Sequence, residues 1–174
     1  SYAVQRSFDR YFASVRAVYI EHGADSEFRL RLAPPAKAEA IEKARRAVDA
    51  ELNSDLARLW SFANGSSRAP VFHDGKFLRS YALLTIQQAI QQQEFFKIRA
   101  AQYTRQNQSE TLRDPRVGEA WFSSGWMPFA AQEGNCVLLV DHTPRGIGAP
   151  GQVIGFAPDP EELFFVADSL GDLL

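Results

Sequence analysis

The residues of this chain that could do chemistry are few, and the adjacent pair Asp141 and His142 comes first. With a serine brought close by folding, such a pair could support hydrolysis, with the histidine as general base. The sequence has no Gly-x-Ser-x-Gly elbow to present that serine. His22, His73 and His142 are widely separated, so no metal-type histidine pair is present. A hydrolase that uses Asp141 and His142 is a minor alternative.

Two further features, a cysteine and a glycine-rich stretch, match reactive or cofactor-binding motifs in residue type but not in their surroundings. Cys136 is the only cysteine, which excludes an intrachain disulfide, and its apolar surroundings favour a core thiol over a nucleophile. Gly146-Ile147-Gly148-Ala149-Pro150-Gly151 matches the dinucleotide fingerprint, which requires a following helix. Here Gly151-Gln152-Val153-Ile154 has the pattern of a strand. We expect a turn between two strands, no cofactor and no metal.

The charge balance limits the class of partner. The chain has 174 residues, with 19 basic against 21 acidic side chains and a net charge of -2. Such a balance lacks the positive field that nucleic acid demands. No apolar run approaches the roughly 18 to 20 residues of a membrane span, and one cysteine suits a reducing compartment. We therefore expect a single-domain, cytoplasmic protein with neither a nucleic-acid nor a membrane partner.

Acidic residues are concentrated near the end of the chain. Residues 130–174 contain seven acids and one base, Arg145; the acids are Glu133, Asp141, Asp159, Glu161, Glu162, Asp168 and Asp172. We favour placing Asp159, Glu161 and Glu162 on the first turn of a final helix, where the helix dipole stabilises anions. The alternative is an acidic face that attracts a basic partner.

Apolar spacing predicts helices in the first half of the chain. A helix is expected over about residues 3–22, followed by an arm in which Phe28, Leu30 and Leu32 alternate with charges. Pro34-Pro35 opens a second helix, Asn53-Ser54-Asp55 has the form of a new N-cap, and Asn64-Gly65 suits a helix end.

Strand signals dominate the second half. Asp74-Gly75 predicts a hairpin turn, and Thr85 with Gln88 has the form of a capping box that opens a helix reaching Ala100. Residues 104–117 form a polar loop insertion. Short β-like runs cover residues 125–130, 135–141 and 151–157, and a final helix is expected from about Pro160. The predicted fold class is α+β.

An aromatic group lies within the predicted sheet. Trp121, Trp126 and Phe129 are close to the polar tract Gln132-Glu133-Gly134-Asn135. We favour burial of these rings in the core, because aromatic residues dominate cores. The alternative is a binding surface with aromatic anchors.

The order of the motifs resembles the SUKH superfamily, in its Smi/Knr-type branch. They are Leu59-Trp60-x-x-Ala63-Asn64-Gly65, Trp121, Trp126-Met127-Pro128-Phe129, Gly134-Asn135, Asp141, Gly151-Gln152-Val153-Ile154 and the closing Val166-Ala167-Asp168-Ser169-Leu170-x-x-Leu173-Leu174. The resemblance covers about residues 38–174 and leaves residues 1–37 as an N-terminal helical extension. It implies helices packed on a curved, mainly antiparallel sheet, with N-terminal helices and a C-terminal helix.

The resemblance also implies a function and a set of residues. Members are known not as enzymes but as bacterial immunity proteins that neutralise toxins, or as fungal scaffold-like regulators of cell-wall assembly. Candidates for partner binding or for family motifs are Trp60, Asn64, Gly65, Trp121, Trp126, Pro128, Glu133, Asn135, Asp141, Gly151 and Gln152.

Physical roles can be assigned to several of these candidates. Asn64-Gly65 would end a helix, Pro128 would limit pairing to an edge or bulge, and Gly151 would let the backbone turn. Trp60 and Trp126 are expected in the core. Asp141 could bind a partner or cap the turn at Thr143-Pro144.

We therefore expect a non-catalytic binding module, an immunity protein that occludes a toxin. The partner would be another protein, such as a basic nuclease domain, attracted by the acidic C-terminal region. A regulatory scaffold for the cell wall or envelope is the alternative.

Overall fold

The computed structural model describes residues 2–74, 79–103, 113–132, 136–158 and 161–174. As far as residue 62, all of its regular secondary structure is helical. The helices of this part are α1 (Tyr2–Glu21), α2 (Asp25–Arg31), α3 (Ala38–Ala47) and α4 (Ser54–Phe62). The first of them confirms the predicted helix over residues 3–22. Asn53 confirms its predicted role as N-cap, because its side chain accepts the Leu56 N–H at 3.0 Å.

The extended arm predicted around Phe28 is wrong, because this stretch is α2. Its backbone closes helical bonds from Phe28 N–H to Ala24 O and from Leu32 N–H to Phe28 O. Asp25 forms an ion pair with Arg16 of α1, and the rings of Tyr19 and Phe28 lie 4.9 Å apart. Contacts with α1 therefore override a local alternation of apolar and charged residues.

The strands form one antiparallel meander in the order β1 (Pro70–Asp74), β2 (Arg79–Leu83), β3 (Trp126–Gln132), β4 (Cys136–Asp141), β5 (Gln152–Ala157) and β6 (Glu162–Ala167). The sheet is curled into a half-barrel, as expected for this fold class. Pairing of Asp74 with Arg79 confirms the predicted hairpin, although its turn lies outside the described residues. A bulge between Pro128 and Ala130 confirms the irregularity expected at that proline.

The helix α5 (Ile86–Tyr103) joins β2 to β3, and the predicted capping box opens it. Thr85 N–H donates to Gln88 Oε1 and Gln88 N–H donates to Thr85 Oγ1, both at 3.0 Å. Of the predicted insertion at 104–117, residues 104–112 lie outside the described part. Residues 113–117 are described, and Val117 is fully buried.

The long final helix is wrong in extent, because residues 162–167 form β6 and only α6 (Leu170–Leu173) is helical. Leu163 and Phe165 face one side of the sheet while Phe164 faces the other. The strand, with its period of two, is more stable here than a helix because both of its faces are covered by apolar clusters. The expected helical placement of the acids also fails: Glu162 lies in β6, Glu161 pairs with Arg99, and Asp159 is outside the described residues.

Two apolar clusters lie on opposite faces of the sheet. The larger one packs the sheet against residues of the helices α1 to α6, and the smaller one, around Phe96 of α5, Trp126 and Ile154, lies under residues 117–122. Along the stretches that the structure describes, no helix has the length and apolar character of a membrane span.

Candidate functional site

The end of β4 and the start of β5 place two polar side chains inside the protein. Asp141 and Gln152 are paired residues of these strands, and both are fully buried. Gln152 Nε2 donates to Asp141 Oδ2 at 3.0 Å, and the backbone N–H of Thr143 donates to Asp141 Oδ1 at 3.2 Å. The carboxylate thus caps the turn after β4, which is one of the roles predicted for it.

The amide of Gln152 also holds the segment that covers this face of the sheet. Its Nε2 donates to the backbone oxygen of Arg116 at 2.8 Å. The guanidinium of Arg116 lies 3.4 Å from the centre of the Phe165 ring and forms an ion pair with Asp114. One buried amide therefore links the sheet to residues 114–117.

His142 extends the same group of contacts toward α4. Its Nδ1 lies 2.8 Å from the backbone oxygen of Gly125, and its Nε2 accepts the N–H of Asn53 at 2.9 Å. Because one nitrogen faces a carbonyl and the other faces an N–H, the ring is neutral with its proton on Nδ1. We call Asp141, His142 and Gln152, with these partners, the Asp141 network.

Burial controls the protonation of both titratable groups in the network. Desolvation raises the pKa of Asp141 above its usual value, although hydrogen bonds from Gln152 and Thr143 oppose this shift. Desolvation likewise lowers the pKa of His142, against smaller opposing contributions from Gly125, Val140 and Asp141. Burial therefore favours the neutral form of each group.

The arrangement differs from a hydrolytic triad. A general base needs an imidazole nitrogen that can accept a proton from a nucleophile. Both nitrogens of His142 are engaged by backbone groups, and the Asp141 carboxylate accepts hydrogen bonds from Gln152 and Thr143. The geometry is that of a structural support.

What the network supports is the loop of residues 143–151 between β4 and β5. Gly151 has φ +90° and donates its N–H to the backbone oxygen of Asp141 at 2.8 Å, in line with its predicted role in the turn. A Cβ placed on Gly146 would lie 1.9 Å from Pro115 O, and one on Gly148 would lie 2.0 Å from Gln152 Oε1. The glycines thus permit close packing in a turn that no helix follows, as expected.

The family comparison can be set beside this geometry. The model of the SMI1 / KNR4 family (SUKH-1) matches residues 35–174, which include the whole sheet and the Asp141 network. The chain belongs to this family. No curated protein sequence matches the chain. The SUKH-1 match begins after α1 and α2, so these helices precede the matched region.

At the other end of α4, three predicted residues of the SUKH-1 region have structural roles. Trp60 is fully buried as expected, and its indole N–H donates to Leu84 O at 3.0 Å. The prediction that Asn64-Gly65 ends the helix needs correction, because α4 ends at Phe62. Asn64 Oδ1 instead accepts the N–H of Ile86 at 2.9 Å and so caps α5. Gly65 has φ +104°.

The other predicted residues are divided between the core and undescribed positions. Trp126 is buried and pairs across the strands with Asp141. Trp121 is half-buried against the smaller cluster, with the Arg113 guanidinium carbon 4.5 Å from its ring centre. Glu133 and Asn135 lie outside the described residues. The structure therefore brings together Asp141, Gly151, Gln152 and Trp126. Trp60, Asn64 and Gly65 lie apart from them, at the other end of α4.

Sequence reasoning missed the partners of the network and the residue at the loop tip. The backbone groups of Asn53 and Arg116 have no side-chain signature, so the sequence held no signal for them. Ile147 is 81% exposed, and its N–H donates to Pro115 O at 2.9 Å. An apolar residue inside a glycine turn was a usable signal.

Proposed function

We propose that the chain is a non-catalytic binding domain, an immunity protein that neutralises a toxin domain by covering its active site. The family match over residues 35–174 carries this proposal, because family membership supports an immunity or Smi1-like role. Occlusion needs no chemistry from the covering protein. An interface of roughly 1,200 to 2,000 Å² in total is enough to block a catalytic cleft.

The Asp141 network supports a role without catalysis. Its carboxylate is buried, its imidazole is engaged at both nitrogens, and its amide donates to the Arg116 backbone oxygen and to the Asp141 carboxylate. Catalytic groups must reach a substrate. In this site the polar atoms are directed at the protein itself, which is the property of a rigid scaffold for binding.

Electrostatics favours a basic toxin acting in the same compartment, which we propose is the cytoplasm. Of the seven acids in residues 130–174, three that the structure describes are exposed: Glu162, Asp168 and Asp172. Asp141 is buried and Glu161 pairs with Arg99. The exposed carboxylates would speed association with a positive partner. Raised ionic strength should then slow binding.

Co-purification followed by reconstitution tests this proposal. The tagged full chain should capture one toxin in a 1:1 complex from its native host, and the purified chain should abolish that toxin's activity at equal concentration. A hydrolase would turn over, so a substoichiometric amount of the unmodified chain tests for hydrolysis: the excess toxin should remain active and covalently intact. Capture of several cell-wall proteins and no toxin would instead indicate the regulatory scaffold.

A further inference from the structure

The two outer strands of the sheet differ in what lies beside them. The helix α1 lies along the outer edge of β1, where two of its tyrosine hydroxyls donate to carbonyls of the strand. At the opposite side of the sheet, no strand of the described residues pairs with β6 on the side away from β5. An outermost strand directs alternate N–H and C=O groups away from its sheet. The outer edge of β6 therefore offers backbone groups to which a further strand can pair.

Both faces of β6 are covered by the protein itself. Leu163 and Phe165 face the smaller apolar cluster, and Phe164 faces the larger one. The guanidinium of Arg116 lies 3.4 Å from the centre of the Phe165 ring, and that of Arg79 lies 5.9 Å from the centre of the Phe164 ring. A partner therefore reaches this strand along its edge and not through its faces.

The composition of β6 leaves this edge suited to pairing. Residues 162–165 pair with β5 in an unbroken register, and a bulge follows at Val166. The strand Glu162–Ala167 contains neither proline nor lysine. Natural proteins place those residues in outer strands to prevent unwanted pairing. The only charge within this strand is the carboxylate of Glu162.

Both ends of the edge carry an exposed carboxylate. Glu162 begins the strand, and Asp168 follows its last residue. Two arginines in this part of the molecule form ion pairs with other acids: Arg99 with Glu161 and Arg116 with Asp114. Because those charges are balanced, the edge presents a negative field at each end.

The two carboxylates decide between a second copy of this chain and a basic partner. In a symmetric antiparallel pair of two β6 strands, with Phe164 of one copy opposite Phe165 of the other, Glu162 and Asp168 of different copies become neighbours. The symmetry makes this repulsion occur twice, and like charges across strands are destabilising. A strand with lysine or arginine near both ends meets attraction at the same two positions.

We propose that the outer edge of β6 binds an extended strand of the toxin, which continues the sheet and places basic side chains beside Glu162 and Asp168. In this mode of recognition the main-chain hydrogen bonds provide affinity, and the side chains provide specificity. The inference rests on the proposed function, and it assigns the binding of the basic toxin to one surface.

Reversal of the two charges tests the choice of partner. The probe is the purified, catalytically inactive toxin domain identified by co-purification, titrated with the full chain by calorimetry. Glu162→Lys combined with Asp168→Lys should raise Kd at least about 30-fold, which corresponds to about 2 kcal/mol for two lost attractions. The matched control is Glu39→Lys combined with Glu51→Lys, which changes the net charge equally at two other exposed sites. It should leave Kd within about threefold, and equal effects of the two double variants would overturn the assignment to the edge.

Strand addition has its own readout, which requires no substitution. In the free chain, the β6 amides that point away from β5 should exchange with solvent rapidly, because no strand of the described residues covers them. In the toxin complex, exchange at those amides should slow at least tenfold, while exchange in α3 should not change. Binding of the toxin with unchanged exchange throughout β6 would overturn the proposal.

The oligomeric state of the free chain tests the alternative occupant. Sedimentation equilibrium should show a monomer at concentrations at which the toxin binds. A dimer in which the β6 amides are protected would assign the edge to a second copy of the chain and would overturn the proposal.

The outcomes also separate this inference from the function on which it rests. If the unmodified chain neutralises the toxin but β6 exchange and both double variants show no edge-specific effect, the edge assignment is wrong and the proposed function stands. If the unmodified chain neither binds nor neutralises any toxin, the proposed function fails and the edge assignment fails with it.

Discussion

The 143–151 loop and the helix α1 are both held against the same sheet, but by interactions of different kinds. The loop depends on buried polar groups, in which Asp141, His142 and Gln152 connect backbone segments far apart in sequence. The helix depends mainly on stacked rings, with Phe12 4.5 Å from Phe62 between ring centres. Directional bonds fix the loop in one position, whereas apolar contacts hold α1 with less specificity.

The two attachments also differ in their relation to the family. The network lies inside the matched residues, and α1 precedes them. At the outer edge of β1, hydroxyls of α1 donate to carbonyls of the strand: Tyr11 to Val71 O, and Tyr19 to Pro70 O at 3.1 Å. The helix thereby covers an edge that could pair with another chain. The loop is therefore part of the family-matched region, whereas α1 lies outside it.

The largest expected effect is at the helix. Phe12→Ala should lower the free energy that holds α1 against the rest of the protein by about 4 kcal/mol. The reason is that the substitution removes a buried ring from between Tyr11, Phe62 and Phe72. Hydrogen exchange should show loss of protection in α1 and β1, with β4 and β5 unchanged. A loss of protection that also affected β4 would show that the stability of the central strands depends on α1.

Removing the carboxylate of the network should come next. Asp141→Ala should lower the free energy of unfolding by about 3 kcal/mol, because the buried Gln152 Nε2 loses one of its two acceptors and the Thr143 N–H loses its side-chain acceptor. Asp141→Asn keeps the shape and removes the buried charge, so its loss should be about 1 kcal/mol. Urea titration measures both. An equal loss in the two variants would show that the charge, and not the acceptor, is what matters.

A tyrosine hydroxyl at the sheet edge should have a smaller effect. Burial raises the pKa of Tyr11 to about 12, and its hydroxyl donates to the backbone of β1. Tyr11→Phe should cost about 1 kcal/mol, the net value of one hydrogen bond. Size-exclusion chromatography of the Tyr11→Phe, Tyr19→Phe double variant should show concentration-dependent self-association. A strictly monomeric double variant would indicate that the apolar contacts alone protect the edge.

The pH dependence should give the smallest signal. Because burial lowers the pKa of His142, the unfolded chain binds the additional proton more readily than the folded one does. This contribution to stability is complete above about pH 6.5 and declines as the pH falls below it. The raised pKa of Asp141 acts in the opposite direction, since its stability contribution grows as the pH falls through its raised pKa.

The variant His142→Asn isolates the histidine contribution, because asparagine retains a donor for Gly125 O and does not titrate. Its Tm should fall less between pH 7.5 and pH 5.5 than that of the unmodified chain. Parallel Tm profiles for the two proteins would assign the acid sensitivity to other groups.

Local signals predicted much of the fold. The N-cap at Asn53, the Thr85–Gln88 capping box and the β1–β2 hairpin each depend on residues close in sequence, and the structure confirms them. The failures have a common cause. In residues 162–167 the apolar side chains satisfy both the helical and the strand period, so only packing on both faces of the sheet decides between them.

The site was predictable only in part. The sequence places the polar Asp141 at a strand end and predicts a turn cap as one of its roles, which the structure confirms. Its wider setting depends on backbone groups: Asn53 is 89 residues from His142, and Arg116 is 36 residues from Gln152. Amides and carbonyls are identical at every position, so their side-chain partners cannot be read from composition or spacing.

Gly155, in the middle of β5, has a consequence for how the sequence can change over time. The ring of Phe164 on β6 lies over it, and a Cβ at position 155 would come within 2.3 Å of that ring. A side chain at position 155 therefore requires a change at position 164. We expect covariation among relatives: a side chain at the first site should accompany a smaller residue at the second, and Gly155→Ala should be tolerated once Phe164→Leu is present.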